Sequence, residues 1–200
     1  MTDPRTLWVA ATAREAAVVP GHARVLVTGV GAARAALELG LALRVESFDR
    51  VVGIGIAGAY PSAGLSLGQV VALEEDAFLD LGAEDGEQVL DLWSLGFDPG
   101  YPSRFPLLVP PWARSLAVVR GGTCAVCTGS ESTQKQREAA GFQVESMEGA
   151  GWAMACWRLG VPFAQVRSIS NIAGPRDRGA WKMDAALAAL ANIVEEACRT

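Results

Sequence analysis

The run Arg50-Val51-Val52-Gly53-Ile54-Gly55-Ile56 constrains the fold more than any other stretch of the chain. After its first residue it offers only apolar side chains or bare backbone, so a strand here needs cover on both faces. Further strands are expected over residues 5–12, 24–28, 68–74, 115–120, 123–128 and 163–169. Between them lie stretches with helical apolar spacing. Residues 32–47 place Ala36, Leu39, Leu43 and Ser47 along one side, and residues 182–198 turn Leu187, Leu190, Ile193 and Val194 inward. A helix is also expected from Ser130 to Gly141, opened by a serine cap. Strands alternating with helices specify an α/β layer architecture.

The 200 residues carry no internal repeat, low-complexity tract or linker, so a single domain over residues 1–200 is expected. Net charge is −5 and the basic residues are scattered, which argues against a nucleic-acid surface. No apolar run approaches the roughly 20 residues of a membrane span. The N-terminus has charges where a signal peptide needs an oily core, so a cytoplasmic location is expected.

Candidate chemistry concentrates between Val144 and Arg178. Glu145 and Glu148 stand near the start of a helical pattern carrying Met154, Cys156, Trp157 and Leu159, which Gly160 and Pro162 stop. The strand Phe163-Ala164-Gln165-Val166-Arg167-Ser168-Ile169 follows and exits through Ser170-Asn171. Ligands in open α/β sheets sit beyond the carboxyl ends of strands, which places Arg167 to Asn171 beside a pocket. Arg167 interrupts an apolar strand, where an unpaired charge is costly. It is therefore expected to pair with a carboxylate, Glu15 or Glu148. The plainer alternative is that Asn171 ends a strand in a turn.

Met147-Glu148, followed across a helix and a strand by Arg167-x-Ile169-Ser170-Asn171, resembles the purine-nucleoside phosphorylase and nucleosidase superfamily. The resemblance implies a three-layer α/β/α domain with a mixed, partly barrel-like central sheet. It implies cleavage of a purine N-glycosidic bond without metal or cofactor, in a homo-oligomer of two or more subunits. Superfamily nucleosidases carry a glutamate after the first strand, which makes Glu15 the residue that activates water. Phosphorylases often place a Gly-Asp-Pro-x-x-Arg-like phosphate loop there, and this chain has none. Water is thus the expected nucleophile.

The same resemblance assigns Glu148 to the ribose 2′ and 3′ hydroxyls, packs Met147 near the sugar and sets Arg167 to support the carboxylates. Glu145 carries less weight, since a cap or surface charge accounts for it. Relatives that cleave adenine nucleosides carry aspartate at the position of Asn171. An amide can instead donate to a 6-oxo oxygen and accept from a protonated N7, so Asn171 points to a 6-oxopurine. In the most similar branch the substrate bears a carboxylate arm, for which Arg104, Arg176 and Arg178 are candidates. A nucleosidase for methylthioadenosine or S-adenosylhomocysteine, a 6-oxopurine phosphorylase and a non-catalytic nucleoside-binding module are the alternatives.

Three further features need a reading. Gly53-x-Gly55-x-x-Gly58 matches a dinucleotide fingerprint. Tyr60-Pro61-Ser62-Ala63-Gly64 follows it with turn chemistry, not the required helix, so a nicotinamide enzyme is the weakest alternative. The resemblance suggests a turn in which Ala57 and Gly58 lie against ribose and base; close strand–helix packing explains the small residues equally well. Cys124-x-x-Cys127 stands alone, with His22 the one histidine and far away, and reads as a strand with buried, reduced thiols. Residues 78–111, rich in Gly, Pro and Asp, are expected to hold short strands or turns. Their aromatics form either ordinary packing or a substrate wall.

Overall fold

The computed structural model describes residues 5–86 and 88–199. Its elements run β1 (Thr6–Ala10), α1 (Ala13–Ala16), β2 (Arg24–Val27), α2 (Ala32–Val45), β3 (Arg50–Ala59), β4 (Val70–Phe78), β5 (Gly82–Asp85) and β6 (Gln88–Asp91). They continue through β7 (Phe105–Pro106), β8 (Ala117–Thr123), α3 (Glu131–Ala139), β9 (Val144–Ser146), α4 (Gly149–Leu159), β10 (Phe163–Ile172) and α5 (Met183–Ala197).

The doubly covered strand is the centre of this arrangement. The sheet runs β10-β4-β8-β9-β3-β1-β2, and β10 also pairs with β3. That extra pairing closes β3, β10, β4, β8 and β9 into a ring, which β1 and β2 extend as an open wing. Pairing is mixed: β3 is parallel to β1 and β10 but antiparallel to β9.

Alternation along the strands divides the core. On β1, Leu7 and Val9 join Leu39 of α2 and Trp152 of α4, whereas Trp8 and Ala10 join Leu190 and Val194 of α5. Helices therefore cover both faces, giving the expected three layers. The closed ring holds its own apolar cluster of Ala57, Val71, Leu73, Val119, Val144 and Ile169. Gly160 ends α4 at φ 68°. Its amide bonds Trp157 O and the Val161 amide bonds Cys156 O, the Schellman pattern that the Gly-x-Pro stop implies. Among the described residues no helix is long and apolar enough to cross a membrane.

Four local expectations are corrected. The strand from Arg50 runs through the glycines to Ala59, and the turn comes only at Pro61–Ala63. Gly53 lies against Trp152 and Phe163, Gly55 against Arg167 and Glu15, and Gly58 against Asn171 and Ala173. The three glycines thus yield to three different sets of neighbours. Glu145 belongs to β9, because the helix starts only at Gly149. The two strands expected over 115–128 are one, β8, and Cys124 to Thr128 form a bend held by Asp80, which accepts from the Ala125 and Val126 amides. Residues 78–111 hold the β5–β6 hairpin and β7, as expected. Most of their aromatics pack on one another: Tyr101 stacks on Phe105 at 5.7 Å and meets Trp93 edge-on at 5.5 Å.

The helices α2 and α4 meet at their N-termini through glycine. A Cβ on Gly151 would stand 2.3 Å from Ala32 O, a backbone atom that cannot step aside. Overpacking of this kind costs about 1–3 kcal/mol. Gly151→Ala is expected to lower the thermal midpoint by several degrees, read by calorimetry against wild type.

Candidate active site

The chain after β1 is Thr12-Ala13-Arg14-Glu15, an S/T-x-x-E capping box. Thr12 Oγ1 accepts from the Glu15 amide at 3.2 Å, and Glu15 Oε2 accepts from the Thr12 amide at 3.1 Å and its hydroxyl at 2.9 Å. This single-turn helix holds Glu15 inward, only 7 % exposed. Its second oxygen, Oε1, accepts from the Ile56 amide at 3.1 Å.

That last bond fills a gap in the sheet. One edge of β3 pairs with β1 as far as Gly53 and with β9 from Gly58 onward, leaving Ile54 to Ala57 without a strand on that side. Within the gap, Ile56 gives its N–H to Glu15, and its carbonyl accepts from Arg167 Nη1 at 3.4 Å. Gly55 makes room for both: a Cβ there would lie 2.5 Å from Arg167 Nη1 and from Glu15 Oε1.

Arg167, on β10, is almost wholly buried. Its Nη1 lies 3.9 Å from Glu148 Oε2, its Nη2 donates to Gln165 Oε1 at 3.3 Å, and the guanidinium lies 5.0 Å from the centre of the Trp152 ring. Its Nε has no partner among the described residues. Of the two carboxylates expected to pair with it, Glu148 forms the ion pair. Glu148 is the N-cap residue of α4, and its Oε1 accepts from the Gly31 amide at 3.2 Å. Gly31, at φ 96°, is the N-cap of α2. The Gly29-Val30-Gly31 turn is thus a site element that the reading of the sequence did not single out; glycines between a strand and a helix were the available signal.

Burial raises the Glu148 carboxyl, and Glu15 adds to this; Arg167 and the Gly31 amide oppose it. Asp76, on β4 and fully buried, is pushed up to about 6, chiefly by burial, against the lowering effect of Gln165, Thr123 and Arg167.

Glu15, Arg167 and Glu148 therefore converge. Asn171 is placed differently. A bulge in β10 sets Ile169 opposite Ala57 but Asn171 opposite Gly58, and such bulges re-aim side chains. Its amide stands 3.1 Å from where a Gly58 Cβ would be. Asn171 Oδ1 accepts from the Ser170 hydroxyl at 2.8 Å and Nδ2 donates to Ile172 O at 3.2 Å. Three residues along β3 separate Gly55 from Gly58, about 10 Å of strand. Met147 is half-buried beside Glu148, and the Ala57 side chain faces the apolar ring interior.

Other candidates stand apart. Arg104 is engaged by Glu75 and by Ala140 O at 2.9 Å. Arg176, over Trp181, and Arg178 lie exposed on the segment after β10. Glu145 is no surface charge: it is buried and accepts from Tyr60 Oη, Arg137 Nη1, and the amide and hydroxyl of Thr128, at 2.6–2.9 Å. Cys124 Sγ, Cys127 Sγ and a Glu145 oxygen lie within 4.8 Å of one another. Glu145 is already saturated, with the Arg137 cation against it, so this is a poor cradle for a second cation. Both cysteines are free thiols; Cys124 is buried and Cys127 partly exposed.

Comparison with known proteins places this chain, with its buried Arg167–Glu148 pair and mixed ring of strands, in a class. The chain belongs to the phosphorylase superfamily, whose family model matches residues 18–199. Among curated relatives, the futalosine hydrolase of Thermus thermophilus is 37 % identical over 176 residues, covering 84 % of this chain and 78 % of the relative. That of Streptomyces coelicolor is 38 % identical over 185 residues, covering 84 % and 75 %. In fold, the chain matches a 5′-methylthioadenosine/S-adenosylhomocysteine nucleosidase from Colwellia psychrerythraea, solved with adenine. The TM-score is 0.80 at 21 % identity, covering 98 % of this chain and 96 % of that one.

The raised Asp76 carboxyl gives stability a definite pH slope. Its folded value lies above the unfolded one, so between about 4 and 6 the native state holds the extra proton. The contribution is full below the unfolded value and lost as pH rises through about 6. The unfolding free energy of wild type minus that of Asp76→Asn is expected to fall from pH 4 to 6 and then level off, as read by urea titrations.

Proposed function

We propose that this protein is a futalosine hydrolase, cleaving futalosine with water to hypoxanthine and dehypoxanthine futalosine in the futalosine route of menaquinone biosynthesis. The observation that carries this is the meeting of Glu15 and Arg167 at Gly55, with Glu148 paired to Arg167, in a chain more than a third identical to enzymes of that name. Glu15 takes one proton of the attacking water as its oxygen bonds to ribose C1′, while the purine leaves with the electron pair of the broken C1′–N bond and takes up a proton from solvent. Glu148 accepts from the 2′ and 3′ hydroxyls, with Met147 against the sugar. These charge-assisted bonds tighten as the ribose becomes cationic, so they favour the transition state over the substrate. Arg167 lies against Glu148 and opposes the burial that raises its carboxyl.

Asn171 meets the leaving base, exchanging its bond to Ile172 O for one to the 6-oxo oxygen. The β3 backbone at Ala57 and Gly58 forms the floor beneath the nucleoside. The loop bearing Arg176 and Arg178 lies beyond Asn171 in sequence and suits the carboxylate arm better than Arg104, which is already paired. The reaction calls for no metal or cofactor. The enzyme works in the cytoplasm as a homo-oligomer, and an exposed stripe of Leu37, Leu41 and Val45 on α2 is a surface such an assembly would cover.

The competing assignment is a 5′-methylthioadenosine/S-adenosylhomocysteine nucleosidase. Aligned by sequence, a Colwellia psychrerythraea nucleosidase is 27 % identical over 169 residues, below the futalosine hydrolases, and asparagine at 171 favours a 6-oxo base over a 6-amino one. Hypoxanthine release from futalosine, followed with and without phosphate, tests the reading: release independent of phosphate is expected. Glu15→Gln is expected to slow it by about 10²–10⁴-fold with the fold retained, the range for a lost general base. Asn171→Asp is expected to shift the ratio of kcat/KM values towards adenine nucleosides, measured with futalosine and methylthioadenosine side by side.

A further inference from the structure

Asp76 lies on β4 with no solvent exposure, and it takes no direct part in the proposed reaction. Each of its oxygens begins a chain. Oδ1 accepts from the Thr123 hydroxyl at 2.9 Å, and that oxygen accepts from the Ala150 amide at 2.7 Å, in the first turn of α4. Glu148 caps that same helix. Oδ2 accepts from Gln165 Nε2 at 2.8 Å, while Gln165 Oε1 accepts from Arg167 Nη2. The two chains end on the two sides of the Arg167–Glu148 pair.

The chemistry of the amide makes this arrangement directional. A carboxylate can only accept, so it fixes the Nε2 side of Gln165 towards itself. The amide oxygen is then the side left for Arg167. Gly149 supplies the space: a Cβ there would stand 2.0 Å from Asp76 Oδ2 and 2.4 Å from Gln165 Oε1.

We propose that Asp76 is a positioning residue for the Arg167–Glu148 pair, orienting Gln165 to hold the guanidinium and anchoring the start of α4 through Thr123. The inference rests on the reading of that pair as the group facing the sugar. Asparagine at 76 cannot serve both chains. If its Nδ2 faces Gln165, that amide must flip and present a donor to Arg167. If its Nδ2 faces Thr123, the hydroxyl proton loses its acceptor. Moving the charge one step along repairs this. In Asp76→Asn/Gln165→Glu, the new carboxylate accepts from both Asn Nδ2 and Arg167, leaving Asn Oδ1 for Thr123.

The test measures kcat and KM for hypoxanthine release from futalosine, with crystal structures of the variants. Asp76→Asn is expected to lower kcat at least tenfold with KM changed less than threefold, and the double variant to recover most of the loss. Should Asp76→Asn fail to fold, Gln165→Met removes the acceptor of Arg167 alone and is expected to lower kcat likewise. Wild-type kcat in the foldable single variant, or a double variant no faster than Asp76→Asn, overturns the proposal. A wild-type enzyme inactive on futalosine overturns the substrate reading instead. The structures then decide: a displaced Arg167 guanidinium in the single variant supports the positioning role, and an unmoved one refutes it.

Discussion

Burying the Arg167 guanidinium is the constraint on which the rest of the structure depends. A cation taken out of water costs several kcal/mol unless charge and hydrogen bonds replace the lost hydration. Here the replacement comes from four directions: Glu148, Gln165, the Ile56 carbonyl and the face of Trp152. Each in turn fixes an element. Glu148 draws the start of α4 towards the Gly31 turn, Gln165 ties β10 to β4, and Ile56 is the point on β3 where the pairing strands part. Each answers part of one buried charge, and together they link β3, β10 and α4.

Much of this was legible in the sequence. The apolar run at Arg50 required cover on both faces, and it received it from α2 and α4 on one side and α5 on the other. Arg167 in an oily strand required a carboxylate, and it found Glu148. The misreadings share one cause: local chemistry is blind to what crosses the sheet. Ala57 and Gly58 looked like part of a turn because Tyr60-Pro61-Ser62 follows, although the strand runs on to Ala59 and pairs there with β9 and β10. Glu145 looked like a helix-start charge because its partners, Tyr60 and Arg137, lie 85 and 8 residues away.

Asn171 shows a subtler limit. Its position at the end of a strand followed from the pattern, but the bulge after Ile169 did not. An extra residue in one strand changes which face the next side chain takes, and nothing in Ser170-Asn171 marks it. Thr12-x-x-Glu15 is the opposite case. The capping signature was present in the letters, and it explains how a residue on a helix of one turn can be held firmly. The cap and the inward aim are one set of bonds, since one oxygen closes the box and the other reaches β3.

The parting of strands along β3 has a consequence for how the protein moves. Where β1 leaves and β9 arrives, main-chain groups that a neighbouring strand would ordinarily occupy are held by ionised side chains instead. Ionised side chains can let go and re-form bonds without unzipping a ladder. Main-chain bonds at this seam can therefore be exchanged while the pairing of β3 with β10 stays intact. The exchangeable bonds and the buried charges of Glu15 and Arg167 coincide because both occupy the same missing stretch of strand.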